Sequence, residues 1–184
     1  RSSDLYDNLI KYELLLYKIE RYEEAIQILN DIIYTFKNEN DLQKLEVIVT
    51  AYCNRSLIYQ QIGKIQDAKN DLDKAIELIE NNGEIETLKY QISLCYLNRS
   101  TLYLVYEEYD NAIVDIKKSL EYSKDAEVKI RVNRARALMN YSNIKIKMGE
   151  SSESVIDIID EAINIIEEID RDDSLFDIDV LVKL

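Results

Sequence analysis

The chain has no proline, no histidine and no tryptophan, and only three glycines in 184 residues. Strands joined by tight turns need turn residues every few positions, so this shortage excludes a β-rich fold. Without histidine there is no imidazole acid–base relay and no imidazole metal site. No Gly-rich phosphate loop is present. The two cysteines, Cys53 and Cys95, lie in apolar stretches, where a pair of buried thiols is the expected use. Positive charge is also short: 23 Lys and Arg face 36 Asp and Glu, for a net charge of −13. That balance argues against general affinity for nucleic acid or anionic lipid. No apolar run approaches the roughly 20 residues that span a bilayer. The segment Arg1-Ser2-Ser3-Asp4 carries neither a start Met nor a signal-peptide pattern. A cytoplasmic segment of a longer protein is therefore expected.

What the chain does have is 47% apolar and 32% charged residues, enough to bury a core and solvate a surface. It also repeats itself. Tyr52-Cys53-Asn54-Arg55-Ser56-Leu57-Ile58-Tyr59 returns 44 residues later as Tyr96-Leu97-Asn98-Arg99-Ser100-Thr101-Leu102-Tyr103. A third copy, Leu138-Met139-Asn140-Tyr141-Ser142-Asn143-Ile144-Lys145, follows after 42 more. Ala25, Ala68 and Ala112 recur at the same interval of about 43, and Gly63 and Gly149 are two periods apart. Glycine ends a helix in the left-handed conformation without a Cβ penalty. Ser56, Ser100 and Ser142, each two turns before a turn position, are small enough for a second helix to cross closely. Ala25, Ala68 and Ala112 are the matching small residues on that helix, and Tyr59 and Tyr103 are expected to wedge nearby.

A helix with a small residue, a large residue three later and a turn Gly, followed by a helix with small residues seven apart, resembles the tetratricopeptide repeat family. Ala68 and Ala75, then Ala112 and Ser119, fill that second-helix pair. The resemblance implies an all-α, α-α superhelix, a solenoid of about four helical hairpins. Three departures stand out: the repeat is longer than the usual 34 or so residues, the customary Pro is absent, and Glu13 occupies the small-residue place in the first repeat. In the fourth repeat Ala162 comes one residue late relative to Gly149, which suggests a slip or bulge.

Periodicity and caps predict helices at 4–20 and 22–37, 41–62 and 65–81, 84–106 and 109–122, and 125–148 and 152–169, with Asp41 an N-cap. They form a single array, with repeats at about 4–38, 41–82, 84–123 and 125–170. Ser174 caps the start of a further helix over 174–184.

No arrangement of residues points to catalysis, a cofactor or a metal. The acidic clusters Glu23-Glu24, Asp170 to Asp173 and Asp177/Asp179 lack calcium-loop spacing. In the family it resembles, the first helix of each hairpin lines a concave groove. On the fourth first helix Lys129, Asn133, Arg136, Asn140, Asn143 and Lys147 share one face, at spacings of 4, 3, 4, 3 and 4. The same face of the second helical hairpin carries Asn54, Leu57 and Gln61, and that of the third carries Leu94, Asn98 and Thr101. Asn54, Asn98 and Asn140 make a ladder of amides able to pair with a peptide backbone. The alternative use of that ladder is to satisfy groups of the neighbouring repeat. The chaperone-tail carboxylate clamp of the family is absent, because Cys53 and Leu57, or Leu97 and Thr101, occupy its first pair. The expected function is a protein-interaction module that binds a peptide or helix of a partner protein, one with acidic or carboxylate character. The alternative is a structural scaffold or oligomerisation segment that uses its outer or end surfaces.

Overall fold

The turns carry the repeat. A computed structural model describes residues 2–37, 41–83, 85–124 and 127–171. In it Glu20, Gly63, Glu107 and Gly149 have positive φ, at 61, 76, 60 and 89°. They stand 43, 44 and 42 residues apart. Each turn closes alike. The next N–H reaches back five residues, from Arg21 to Leu16 O, Lys64 to Tyr59 O, Glu108 to Tyr103 O and Glu150 to Lys145 O, at 2.9, 2.8, 2.9 and 3.1 Å. This closure satisfies carbonyls that a helix end leaves unpaired. Glycine adopts it freely, whereas a residue with a Cβ pays roughly 1–2 kcal/mol. Only the two glycines announce the turn in the sequence.

Among the described residues eight α-helices result: α1 (Ser2–Lys18), α2 (Tyr22–Phe36), α3 (Leu42–Gln61), α4 (Ile65–Asn82), α5 (Lys89–Val105), α6 (Tyr109–Tyr122), α7 (Val128–Lys147) and α8 (Ile156–Arg171). They make four helical hairpins, and no strand occurs among the described residues. The fold is all-α, as expected. The segment 174–184 lies outside the described residues. The length beyond a usual repeat goes into helices: α3 and α7 have 20 residues each. Asp41 caps α3 by accepting from the N–H groups of Gln43 and Lys44. Two boundaries differ most from expectation. α5 starts at Lys89 rather than 84, because residues 85–88 form a turn in which Leu88 N–H meets Ile85 O. The last helix is preceded by a 3-10 turn, Ser152–Val155. Tighter winding there shifts the register by one residue. Val155 and Ala162, seven apart and both buried, then take the places that Ala68 and Ala75 hold in the second hairpin.

The chain divides into two compact units, Arg1–Cys95 and Tyr96–Leu184. In the first, α1 packs on α2, α2 on α3, α3 on α4, and α1 also meets α3. Its core includes Leu16, Leu29, Ile32, Ile58, Leu72 and Ile79, and Tyr6 sets its ring edge-on to Phe36. In the second, α6 packs on α7 and α7 on α8. Leu97, Ala112, Ile116, Ala137 and Ile144 form its centre, with Tyr103, Tyr109 and Tyr141 packed around them.

An ion pair braces the two middle hairpins. Arg55 donates to both Asp71 oxygens at 2.8 and 2.6 Å and to Asn30 Oδ1 at 2.6 Å. Arg99 meets Asp115 in the same way, at 2.7 and 2.8 Å. Each arginine lies over tyrosines of the repeat: Arg55 over Tyr52 and Tyr59, Arg99 over Tyr96. Burial pushes the Asp71 carboxyl up from its ordinary value, and the hydrogen bonds and charge of Arg55 pull it back. In the fourth hairpin Tyr141 stands at the arginine's place. There Arg131 to Glu168 and Arg134 to Glu161, at 2.6 Å each, join α7 to α8 instead.

If the turn geometry holds the hairpins, Glu20→Gly and Glu107→Gly are each expected to raise stability by about 0.5–1 kcal/mol in urea unfolding, the left-handed cost less the added chain entropy of glycine. Gly63→Ala is expected to lower it, through backbone strain alone, because no atom lies within 4 Å of an added Cβ. Unchanged midpoints in all three variants contradict this account of the turns.

Candidate interaction surface

The first helices α1, α3, α5 and α7 carry the residues singled out by the sequence. In the first unit, Asn54 on α3 is half-buried and its Nδ2 donates to Glu13 Oε2 on α1 at 2.9 Å. Glu13 is 1% exposed. A buried carboxylate at a small-residue place is tolerable because a donor from the next first helix reaches it. Gln91 on α5 makes the same kind of rung, donating to Glu46 on α3 at 2.8 Å. Leu57 and Leu94 are half-buried, and Gln61 is exposed at the last residue of α3.

In the second unit, Asn140 on α7 donates to Thr101 Oγ1 on α5 at 3.0 Å, and Thr101 donates to Leu97 O. Asn98 is 4% exposed and its Nδ2 has no hydrogen-bond partner. Lys129 is exposed and lies 3.1 Å from Glu127. Asn133 is 2% exposed, Arg136 is half-buried, and Asn143 and Lys147 are exposed. The polar stripe of α7 is thus open only in part. Ile130, Val132, Asn133, Ala135, Ala137 and Leu138 cover the first half of that helix around most of its circumference. A residue that is polar by sequence can be enclosed there. Asn98 and Asn133 are the two expected lining residues that the packing encloses.

The second half of α7 is different. Met139 and Ile146, 47% and 46% exposed, flank Asn143 at spacings of four and three, on one helical face. Met148 follows, also exposed. These apolar residues lie outside the polar stripe expected from the sequence, although their phase with Asn143 is visible there. Lys147 and Met148 border an open depression of about 520 Å³, completed by Glu107, Glu108, Tyr109, Asp110 and Asn111. Three acidic residues, Glu107, Glu108 and Asp110, thus share the lining of that depression with Lys147. Elsewhere in this unit Ile156, Ile159 and Ile163 of α8 are exposed at spacings of three and four. Among the described residues no group of side chains is arranged to hold a metal ion, and no helix is long and apolar enough to cross a membrane.

Hairpins of this length, braced by small residues and closed by left-handed turns, invite comparison with known repeats. The tetratricopeptide repeat model matches residues 49–82. The model described as anaphase-promoting complex subunit 5 matches residues 2–56 and 96–179, more than half of the chain. The chain belongs to the tetratricopeptide repeat family, in the form that the second model describes. The crystal structure of BtubC (BKLC) from P. vanneervenii has the same fold, with a TM-score of 0.72 at 16% identity. The alignment covers 90% of this chain and 65% of that one, so the chain spans about two thirds of that protein's length. TTC0263, a thermophilic tetratricopeptide repeat protein in Thermus thermophilus, aligns over 97% of this chain and 96% of its own at 17% identity. Its TM-score of 0.37 is too low to carry an argument. No curated protein matches.

The rung between Glu13 and Asn54 has a direct test. Asn54→Leu leaves the buried carboxylate short of a donor and is expected to cost about 1–3 kcal/mol in urea unfolding. Pairing it with Glu13→Leu is expected to recover most of that loss. A single variant as stable as the parent shows that the amide does not hold the carboxylate.

Proposed function

We propose that the chain is a non-catalytic protein-interaction module that holds an extended segment or a helix of a partner protein against its first helices, with the second half of α7 as the principal contact. The observation that carries this reading is the exposed face Met139–Asn143–Ile146. Two apolar anchors bracket an amide there, on one of the first helices. Methionine adapts to irregular apolar partners. An amide pairs with a peptide backbone whatever its side chains. A few anchors of this kind dominate most interfaces. Lys147 and Arg136 supply the positive charge for a partner carboxylate, and the acidic residues that line the same depression as Lys147 limit how many negative charges that end accepts. In the first unit the corresponding face offers Leu57 and Leu94 as shallow apolar contacts. Asn54 commits its N–H to Glu13 there and offers its carbonyl. The expected setting is the cytoplasm.

A second reading has its own support. The isoleucine stripe on α8 is an exposed apolar surface away from the first helices, and the model matching most of the chain bears the name of a subunit of a complex. A scaffold segment buries such a surface against a neighbouring subunit.

The two readings separate by titration. Once a partner is recovered from the source organism, Ile146→Asp is expected to weaken its binding about tenfold or more. Asn143→Ala is expected to weaken it less and with little salt dependence, whereas Lys147→Glu is expected to weaken it mainly at low salt. Ile159→Asp is expected to leave binding unchanged. If Ile159→Asp abolishes binding and the three α7 variants behave like the parent, the scaffold reading replaces the first.

A further inference from the structure

Two sulfurs meet between α3 and α5. Cys53 Sγ and Cys95 Sγ lie 2.6 Å apart, 42 residues apart in sequence. The residues are 2% and 0% exposed. A sulfur–sulfur bond is about 2.05 Å long, so little movement separates the two thiols from a bond. The same two helices are tied again by the hydrogen bond from Gln91 to Glu46, which holds α3 and α5 in register. The tetratricopeptide signature asks only for packing at these two places, and Leu97, two residues after Cys95, belongs to the second unit's core in the ordinary way.

We propose that Cys53 and Cys95 are a redox modification site, a thiol pair that a peroxide converts into a reversible disulfide between α3 and α5. The Cys53 sulfur attacks one peroxide oxygen and the O–O bond breaks. Cys53 becomes a sulfenic acid and one water leaves. The Cys95 sulfur then attacks the Cys53 sulfur and displaces the oxygen as a second water. Two thiols lose two protons and two electrons, and the peroxide, taking both, is reduced to two waters. Holding the second sulfur at contact makes that step intramolecular, with a high effective concentration. Burial keeps other thiols away from the sulfenic acid, so the pair closes on itself rather than on a second molecule. Reduction by a dithiol restores both thiols. The bond fixes the spacing of α3 and α5, and with it that of Asn54 and Leu94, the residues adjoining the two cysteines in sequence. The site is independent of the partner-binding reading and stands if that reading fails.

The test uses the unmodified protein. It is exposed to a modest excess of hydrogen peroxide, quenched, unfolded and alkylated with iodoacetamide. The expected product is monomeric, two hydrogens lighter and unalkylated, and its peptide map links Cys53 to Cys95. Dithiothreitol is expected to restore alkylation at both cysteines. The oxidised protein is expected to melt at a higher temperature than the reduced one, and Cys53→Ala to leave Cys95 open to alkylation and to remove the shift. If Cys53→Ala fails to fold, the peptide map of the unmodified chain decides alone. Full alkylation of both cysteines after oxidation overturns the proposal. So does a gain of oxygen without a link, or a link between molecules.

Discussion

Helices approach only as closely as the side chains between them allow, and at most of the repeat's crossing positions those side chains are serine and alanine. Ala25, Ser56, Ala68, Ala75, Ser100, Ala112 and Ser119 are all fully buried. Each belongs to the periodic set. Close approach brings backbone against backbone, where a larger side chain forces off-rotamer packing. The larger residues of the repeat then find their places beside these crossings. Leu72 and Ile79 in the first unit, and Leu97 and Ile116 in the second, fill the space that the small residues leave.

Close crossing also leaves polar side chains wholly or partly buried, where most find a partner. The chain answers in two ways. Within the middle hairpins, Arg55 with Asp71 and Arg99 with Asp115 join first helix to second. Between first helices, Glu13 with Asn54, Glu46 with Gln91 and Thr101 with Asn140 make rungs. Desolvation offsets much of the attraction in such pairs, so their chief effect is to make one arrangement better than its neighbours. The rungs bear on function as well. A first helix that uses its amides to hold the next first helix has fewer to offer a ligand, which is why the proposed contact lies on the exposed second half of α7.

The fold was legible because its determinants are periodic. Asn-x-Ser at 54, 98 and 140 and the glycines at 63 and 149 fixed the repeat and its turns. The turns at Glu20 and Glu107 were less legible, since glutamate gives no sign of a left-handed backbone. The ion pairs were recoverable from the recurrence of Arg and Asp 16 residues apart, at 55 and 71 and at 99 and 115. The surface was harder. A helical wheel separates faces, but it does not say which part of a face a neighbouring helix covers. Asn133 and Asn143 fall on the same stripe, and one is buried while the other is exposed.

The central claim is that the size of the residue at a crossing, and not its polarity, sets the fold. Ser100 tests it best, because its hydroxyl is buried and has no hydrogen-bond partner. Urea unfolding of Ser100→Ala and Ser100→Leu separates the two properties. Ser100→Ala is expected to match or exceed the parent in stability, since it removes an unsatisfied polar group and keeps the small volume. Ser100→Leu is expected to lose about 1–3 kcal/mol or more through overpacking. Equal stability of the leucine variant and the parent, or a large loss on Ser100→Ala, contradicts the account.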